Sequence, residues 1–490
     1  LNPGVIVDAA PLESGLRRPA AFEVEAQGGF RFGSDAGSFT RAVHRCVGIA
    51  KCRADTRDRG GVMCPSYLAT RDEKDSTRGR ARVLQEMLIG LRPIEDGGPQ
   101  PTVRNGFRSR EIHESLDLCL SCKACSSECP AGVDMARYKS EVLFRAYRHR
   151  LRPRSHYLLG RLPAWLTVLR RIPRLASAAL RFPPTAALIR LVGGIDGRRT
   201  LPPLDPRPAR RRLPAAGGVA TAAQAPPAQP VDHGPRTQLA DQPVRSAVLW
   251  IDSFSDVFRP RAVQTTAALL ADADYRVQIA APRVCCALPW ITTGQLAAAR
   301  RRLTALVAAL HPLLEPDAVL VCAEPSCAAT LRSDLPDLLP DDPRAHAVAG
   351  AVRTPAQALL EAGWQPPRLD GVHVVTQPHC HQRAVFGYEA DRALLQSAGA
   401  RVSEAPGCCG MAGNFGMEAG HFEISRRIAE LGILAVLADA PGAVVVADGF
   451  SCHTQIHQLA GVSALHLTEL FADSPSAHPA PPGESGARTR

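Results

Sequence analysis

One stretch decides the fold of the N-terminal part of the chain: Cys119-Leu120-Ser121-Cys122-Lys123-Ala124-Cys125-Ser126-Ser127-Glu128-Cys129-Pro130. The two-residue gaps between its first three cysteines let the chain curl around adjacent irons of one cubane cluster, and the fourth cysteine, before a proline, reaches a second cluster. A structural zinc site usually needs two separated cysteine pairs, which these short consecutive gaps do not provide. The stretch therefore predicts iron–sulfur clusters, with zinc as the alternative.

A degraded copy of the same pattern precedes this stretch. Cys46 and Cys52 stand at its first and third positions, and Ile49 occupies the place of the middle cysteine. Cys64 follows after a longer insertion and comes directly before Pro65, as Cys129 comes before Pro130. Two such copies predict a domain that holds two clusters.

Crossed ligation by the proline-linked cysteines gives two predicted cofactor-binding sets. The first set has four members, Cys64, Cys119, Cys122 and Cys125. The second set has three, Cys46, Cys52 and Cys129, because isoleucine cannot bind iron. We expect one [4Fe–4S] cluster at the first set. At the second we expect a cluster that readily becomes [3Fe–4S], or one completed by a donor such as His44.

Residues 246–472 contain a duplicated pattern of strands and helices. Strand-like runs occur at 247–251, 276–280 and 318–321, and again at 372–376, 400–403 and 443–447. In each copy a cysteine pair follows the second run and a single cysteine follows the third. Strands alternating with helices predict two small α/β units with parallel sheets, and parallel sheets place ligands at such strand ends.

The cysteines of the two copies are candidate metal or redox ligands: Cys285, Cys286 and Cys327 in the first copy, and Cys380, Cys408, Cys409 and Cys452 in the second. Adjacent thiolates rarely close a good disulfide, but they can bridge two irons or act in redox chemistry. The first copy has Phe254 near the position of Cys380, so we expect the second copy to carry the functional site. Cys322 is predicted to be a buried core thiol. His379 and His381, which flank Cys380, are candidate ligands or hydrogen-bond donors that tune a cluster, with an ordinary structural role as the alternative.

The composition narrows the classes of protein that the chain can represent. It has 490 residues and 15 cysteines, and no apolar run reaches the roughly 18 residues that a membrane span needs. No signal-peptide pattern opens it, so we expect metal or redox cysteines rather than disulfides. Net charge is +11, and 17 arginines face two acidic residues between positions 145 and 212. Without a nucleic-acid-binding motif, this basic segment predicts either peripheral contact with an anionic membrane or a helical collar on the cluster domain.

Several motifs carry a resemblance to a known family. Residues 63–67, 76–82 and 118–136 resemble the iron–sulfur half of FAD-linked D-2-hydroxyacid dehydrogenases of the glycolate oxidase and D-lactate dehydrogenase type. The duplicated units resemble the cysteine-rich CCG domains of these proteins and of heterodisulfide reductase. Two departures from the CCG pattern are visible: Thr330 and Gln455 stand where a final cysteine belongs, and Ala287 replaces a glycine.

The resemblance implies an α/β protein: an α-helical dicluster ferredoxin-type domain followed by two duplicated α/β cysteine-rich units. The expected boundaries are 1–30 for the remnant of an FAD-linked oxidase domain, 31–155 for the dicluster 4Fe-4S domain, 156–245 for the basic helical segment and a Pro/Ala-rich linker, 246–366 and 367–472 for the two CCG units, and 473–490 for a disordered tail.

The function implied by the resemblance is that of an oxidoreductase component. Electrons leave a 2-hydroxyacid onto FAD in a missing domain or partner subunit, and the iron–sulfur module passes them to a quinone or cytochrome. No catalytic residue is assigned within this chain, and a further cluster in the CCG units is expected. The alternatives are a thiol/disulfide redox enzyme like heterodisulfide reductase and a zinc-bound interaction protein. The expected location is cytoplasmic, with peripheral contact at the inner face of the plasma membrane and no nucleic-acid partner.

Overall fold

The computed structural model describes residue 24 and residues 29–91, 103–213 and 245–474. The expected N-terminal remnant lies almost wholly outside the described residues, as do the middle and end of the expected linker and all but the first two residues of the expected tail. These predictions therefore stay predictions.

The dicluster part is helical wherever it is described. Its α-helices are α1 (Phe39–His44), α2 (Pro65–Thr70), α3 (Thr77–Gly90), α4 (Arg110–Asp117), α5 (Ala124–Glu128) and α6 (Met135–Ala146). Ser76 caps α3 by accepting a hydrogen bond from the amide of Gly79, and the helix ends at Gly90. The rings of Phe32, Phe39 and Tyr138 lie 5.5–6.1 Å apart, so α1 and α6 share an aromatic core.

The basic segment forms four short helices, α7 (Arg154–Leu158), α8 (Leu162–Leu169), α9 (Pro173–Arg181) and α10 (Pro183–Gly193). Proline stands at the first or second position of the last three, where its missing N–H is not needed. Part of the expected Pro/Ala-rich linker packs on the first α/β unit. The Asp205 amide donates to the Val257 carbonyl, and Arg210 forms an ion pair with the buried carboxylate of Asp256 at 2.5 Å.

The first cysteine-rich unit has a parallel sheet in the order β2-β1-β3-β4. Its strands are β1 (Ser246–Trp250), β2 (Arg276–Ala280), β3 (Val319–Val321) and β4 (Val352–Arg353). Its helices are α11 (Ser253–Phe258), α12 (Pro260–Asp272), α13 (Leu288–Thr292), α14 (Leu296–Leu310), α15 (Pro325–Ala329), α16 (Leu335–Leu338), α17 (Pro343–Ala351) and α18 (Pro355–Glu361).

The second unit repeats this arrangement with the parallel order β6-β5-β7. Its strands are β5 (His373–Thr376), β6 (Arg401–Glu404) and β7 (Val444–Val446). Its helices are α19 (Cys380–Val385), α20 (Glu389–Ser397), α21 (Phe422–Leu431), α22 (Ile433–Asp439), α23 (Phe450–Ala460) and α24 (Leu467–Ala472). The predicted α/β fold with duplicated parallel sheets is confirmed, and β4 is an edge strand that the sequence pattern did not reveal.

Short turns of tighter or wider helix join these elements. The 3-10 turns are Gly33–Asp35, Lys51–Arg53, Arg57–Arg59, Glu73–Asp75, Gly106–Arg108, Leu159–Arg161, Ala209–Arg211, His311–Leu313 and Phe415–Met417, and a π-helical turn spans Thr330–Asp334. The dicluster part packs directly on both units, with α6 on α13 and α14 of the first unit, and α2 on α21 and α5 on α19 of the second. One continuous apolar core joins it to the first unit.

Candidate iron–sulfur sites

The first cysteine-lined cavity, here the first cavity, is surrounded by Cys64, Cys119, Cys122 and Cys125. Cys64 stands immediately before α2, Cys125 lies within α5, and the other two lie in the loop between α4 and α5. All four side chains are buried. The structure thus brings together the four members of the first predicted set, although Cys64 is 55 positions from its nearest partner in the chain.

Polar groups aim at the sulfurs of the first cavity. The Arg80 guanidinium, which is 1% exposed, donates to Cys64 Sγ at 3.6 Å and to the Ser115 carbonyl at 2.9 Å. The Met135 amide donates to Cys125 Sγ at 3.3 Å. Burial raises the pKa of the Cys64 thiol, but the charge of Arg80 together with hydrogen bonds from Ser66, Thr77 and the Tyr67 amide outweighs it, and the net shift of this pKa is downward. Arg80 therefore favours a thiolate at Cys64, a role that the sequence motif around it did not reveal.

The second cysteine-lined cavity, here the second cavity, is surrounded by Cys46, Cys52 and Cys129. Ile49 also lines it and is 56% exposed. The Arg78 amide donates to Cys52 Sγ at 3.4 Å. Among the described residues that line this cavity there is no histidine or acidic side chain, so the structure does not place His44 at the position of the missing thiolate.

Met63 and Thr77 line both cavities. Met63 immediately precedes Cys64, and Thr77 is the first residue of α3. The two cavities are therefore direct neighbours, separated by these two side chains, as two clusters that exchange electrons need to be.

The donor sets fit iron–sulfur clusters. None of the fifteen cysteines, all of which lie in the described part of the chain, forms a disulfide. No three histidine, cysteine or acidic side chains among the described residues converge on a point where one metal ion could bind. In a cubane each thiolate binds a different iron, so the ligands surround the cluster instead of meeting at one ion. Four buried thiols around one cavity match this requirement, and the second cavity matches it at three positions.

The first cysteine-rich unit brings four thiols together where three were expected. Cys286 Sγ and Cys327 Sγ lie 3.1 Å apart, and Cys285 is adjacent to Cys286 in the chain. Cys322 is buried, as predicted, but its thiol also contacts Cys327. Burial raises the pKa of Cys322 to about 12. In contrast, hydrogen bonds from Cys285 and Cys327 hold the pKa of Cys286 well below its usual range.

The second cysteine-rich unit assembles all four of its predicted cysteines. Cys408 is hydrogen-bonded to Cys380 and Cys409, and Cys409 to Cys452. Each of the four is at most 4% exposed. Hydrogen bonds from Cys408 and Cys452 hold the pKa of Cys409 well below its usual range. The paired units thus each contain one thiol whose anionic form is stabilised by its neighbours.

The backbone after the second cysteine pair explains its glycine. Gly410 has a φ of +88°, and a Cβ there would lie 2.2 Å from the Ser425 carbonyl oxygen. Ala287 takes the matching left-handed conformation in the first unit, with a φ of +63°. The first unit therefore reproduces the turn without glycine, and it does so at some cost in backbone strain.

The residues that replace the final CCG cysteine make other contacts. Gln455 accepts a hydrogen bond from the buried Arg199 at 2.8 Å and donates to the Ser425 carbonyl at 3.1 Å. Thr330 bonds back to the Ser326 carbonyl within its own helix. Neither position supplies a thiolate, so each unit has four cysteines in total.

Comparisons with known proteins agree with this geometry. Residues 42–133 match the family model of the 4Fe-4S dicluster domain, and residues 374–457 match that of the cysteine-rich CCG domain. The chain contains a 4Fe-4S dicluster domain and a CCG domain. These matches cover all the predicted dicluster cysteines and the four cysteines of the second cysteine-rich unit.

Named relatives confirm the resemblance to the iron–sulfur half of FAD-linked dehydrogenases. A D-2-hydroxyglutarate dehydrogenase of Pseudomonas putida is 27% identical over 88% of this chain and 43% of its own length. One of Escherichia coli is 23% identical over 96% of this chain and 47% of its own length. The glycolate oxidase iron-sulfur subunit of Escherichia coli is 25% identical over 89% and 94%. The chain thus spans less than half the length of the D-2-hydroxyglutarate dehydrogenases it matches.

The dicluster domain touches the CCG domain at its cluster-facing loop. His381 Nε2 lies 2.8 Å from the Ser121 carbonyl oxygen, between Cys119 and Cys122. Cys122 and Cys380 belong to one buried core, where α5 packs on α19. Lys123 donates to the buried Asp334 of the first unit at 2.7 Å. The first cavity therefore lies against the second unit's cysteines.

Proposed function

We propose that this chain is the iron–sulfur electron-transfer module of an FAD-dependent 2-hydroxyacid dehydrogenase of the D-lactate or glycolate type. The observation that carries the proposal is the continuous series of cysteine groups. The second cavity shares Met63 and Thr77 with the first, and the loop of the first cavity contacts His381 beside Cys380. The names of the relatives support the same class of reaction.

In this proposal the first cavity's cysteines hold a [4Fe–4S] cluster and those of the second hold a cluster with one non-cysteine position. When bound, such clusters take up and release single electrons. The residues of the chain set the conditions for this chemistry. Arg80 brings a buried positive charge to Cys64, and backbone amides donate to Cys52 and Cys125. Such hydrogen bonds and the exclusion of water tune a cluster's potential.

The reductant in the proposal is FAD, held by an oxidase domain or by a partner subunit. The two kinds of relative correspond to these alternatives, because the chain covers 47% of one relative and 94% of another. The oxidant is a quinone or a cytochrome. The dehydrogenation itself takes place on the flavin, so we assign no catalytic residue to this chain.

The basic segment supports a further part of the proposal, peripheral contact with an anionic membrane at the cytoplasmic face. Nine of the twelve exposed large apolar side chains among the described residues lie between positions 151 and 192. They include Trp165, Leu175 and Phe182, and arginines surround them. No single described helix is long and apolar enough to cross a membrane, although α9 and α10 together, bent by 88°, meet the criteria of length and composition.

This contact combines apolar insertion with charge attraction, as interfacial helices do. Vesicles containing anionic lipid should bind the protein at low salt and release it at high salt, whereas neutral vesicles should bind less. Absence of binding to anionic vesicles at low salt would remove this part of the proposal.

A second candidate function is thiol/disulfide redox chemistry in the cysteine-rich units. The observation in its favour is the 3.1 Å separation of Cys286 Sγ and Cys327 Sγ, with the lowered pKa of Cys286. Under this alternative, a disulfide substrate oxidises the reduced protein. Under the principal proposal, only electron acceptors such as quinones or cytochromes do so.

The direct test uses the full gene product together with its FAD-linked oxidase domain or subunit. A panel of 2-hydroxyacids is added anaerobically, and flavin and cluster absorbance are followed. We expect at least one of them to bleach the flavin and then reduce the clusters. Bleaching of the flavin without reduction of any cluster would contradict the proposal.

A further inference from the structure

A cavity of about 290 Å³ lies where three parts of the chain meet. Leu120 and Ser121 of the dicluster domain form one wall, and Cys380 of the CCG domain lies on another. Apolar side chains of α8 to α10, such as Leu162 and Ile189, line it from the side of the basic segment. We call this space the apolar cavity. Its size is near the lower end of the roughly 300–1,000 Å³ range of small-molecule sites.

The lining of the apolar cavity includes a stacked pair of aromatic rings and two buried histidines. The rings of Phe258 and Phe450 stack at 4.4 Å on one side. His379 and His381, which are 4% and 6% exposed, also line it. Among the described residues, neither Nδ1 atom has a hydrogen-bond partner. Because buried polar atoms are almost always hydrogen-bonded, two unpartnered nitrogens on residues that line this mostly apolar cavity point to a ligand with oxygen acceptors or donors.

We propose that the apolar cavity binds a quinone, which receives the electrons of the relay. This inference rests on the proposed function and names the acceptor that the proposed function leaves as quinone or cytochrome. The leucine and phenylalanine walls match a flat lipophilic ring, and the lining residues His379 and His381 carry the unpartnered nitrogens that its oxygens would engage. A cytochrome would exchange electrons across an exposed surface and would not need an internal apolar space.

The position of the cavity suits this role. Only Leu120 and Ser121 stand between Cys119 and Cys122 in the chain, so the quinone would lie beside the loop of the first cavity, and Cys380 lies on its other side. The helices above it present the exposed apolar face of the basic segment. A quinone arriving from a membrane would therefore meet apolar side chains along its route.

The overall reaction transfers two electrons from the 2-hydroxyacid to the quinone. The 2-hydroxyacid loses two electrons and two protons to become a 2-oxoacid. The quinone accepts two electrons, one at a time, together with two protons from solvent to become the quinol.

The test combines a variant that fills the cavity with a matched control outside it. Leu162→Trp places a bulky ring in the apolar cavity, and Leu360→Trp places the same ring on α18, where Leu360 is 46% exposed and does not line this cavity. The probe is a short-chain naphthoquinone, whose equilibrium binding to the cluster-containing protein is measured without substrate. We expect Leu162→Trp to weaken naphthoquinone binding by about tenfold or more, because the added ring and the quinone cannot occupy the same space without overpacking. Leu360→Trp should leave it unchanged.

A second measurement keeps the proposal testable if Leu162→Trp fails to fold. A photoreactive naphthoquinone should label the unmodified protein within 158–204 or beside His379 and His381. Labelling elsewhere, or binding that Leu162→Trp leaves equal to that of Leu360→Trp, would overturn the proposal.

Activity measurements separate this inference from the proposed function. In the complete enzyme, Leu162→Trp should lower hydroxyacid-dependent naphthoquinone reduction while ferricyanide, which takes electrons at the surface, is still reduced. If the unmodified enzyme does not reduce ferricyanide when a 2-hydroxyacid is added, the proposed function is contradicted. The binding and labelling results would still decide the identity of the apolar cavity.

Discussion

The two cysteine-lined cavities of the dicluster domain are neighbours but are built to different completeness. The first cavity has four buried cysteines and the buried Arg80. The second has three cysteines and, at the place of the fourth, Ile49 with more than half of its side chain exposed. One chain thus maintains a cavity lined by four buried cysteines next to one lined by three, and the second is exposed to solvent at Ile49, where the cysteine pattern is interrupted.

The largest expected effect is the loss of a whole cluster when either proline-linked cysteine, Cys64 or Cys129, is replaced by serine. Cys64→Ser should destroy the cluster of the first cavity, although in the sequence Cys64 belongs to the degraded copy with Cys46 and Cys52. Cys129→Ser should destroy the cluster of the second cavity and leave the first intact. Iron content and the electron paramagnetic resonance (EPR) spectra of the reduced proteins measure this. The opposite pattern of losses would show that ligation is not crossed.

Next in size is the effect of the CCG cysteines. Cys380 lines the apolar cavity, whereas none of the described cysteines of the first unit does. Cys408 connects Cys380 to Cys409 by hydrogen bonds, so Cys409→Ser should abolish acceptor reduction, while the dicluster signals persist. Cys286→Ser is the matched variant in the first unit and should reduce acceptor turnover less. An equal loss of acceptor reduction in both variants would show that the two units are functionally equivalent.

Arg80, beside the first cavity, and Arg78, beside the second, are expected to contribute differently to the free energy of unfolding. Arg80 and Asp75 form a fully buried pair at 3.8 Å, and removal of one partner of such a pair costs about 3–5 kcal/mol. Arg80→Met should lower the free energy of unfolding by that amount. Arg78, beside the second cavity, pairs with a partly exposed Glu73, and Arg78→Met should cost about 1 kcal/mol or less. Chemical denaturation of the two variants decides whether the first cavity alone depends on a buried charge.

The smallest expected effect is a pH dependence of the contact beside the first cavity. His421 of the CCG domain lies 3.2 Å from Asp117, which ends α4. Burial lowers the pKa of His421, but the hydrogen bond and charge of Asp117 outweigh it, so the pKa is raised. Glu418 at 3.6 Å acts in the same direction, and Lys139 opposes it.

Because the folded-state pKa of His421 is raised, its stabilising contribution is complete below the unfolded value of about 6.5. It is lost as the pH rises through the folded value. Stability should thus fall slightly from pH 6 toward pH 8, and His421→Gln should flatten that slope. An unchanged slope in His421→Gln would show that another group is responsible.

Much of the fold followed from local patterns. The six principal strands appear where alternation of strands and helices predicts them, because buried parallel strands read as short apolar runs. The grouping of Cys64 with cysteines more than fifty positions away followed from the motif rather than from proximity. The ligand roles themselves stay predictions, since contacts between thiols do not show which of them bind iron.

What the sequence did not reveal depends on contacts between distant segments. Arg80 sits in a quoted motif, but its contact with Cys64 depends on how α3 packs against α2. The contact of Cys322 with Cys327 depends on the turn after β3. The apolar cavity needs three separate parts of the chain, and no local pattern records their meeting.

The most direct test of the central claim, that the two cluster sites are unequal, is the EPR spectrum of the air-oxidised protein. With three cysteines and Ile49 at the second cavity, we predict a [3Fe–4S] signal, and Ile49→Cys should suppress it by supplying the fourth thiolate. Leu360→Cys, which adds a thiol at an exposed position of α18 that does not line this cavity, is the control and should leave the signal unchanged. Two oxygen-stable cubane clusters in the unmodified protein, with no [3Fe–4S] signal, would contradict the account.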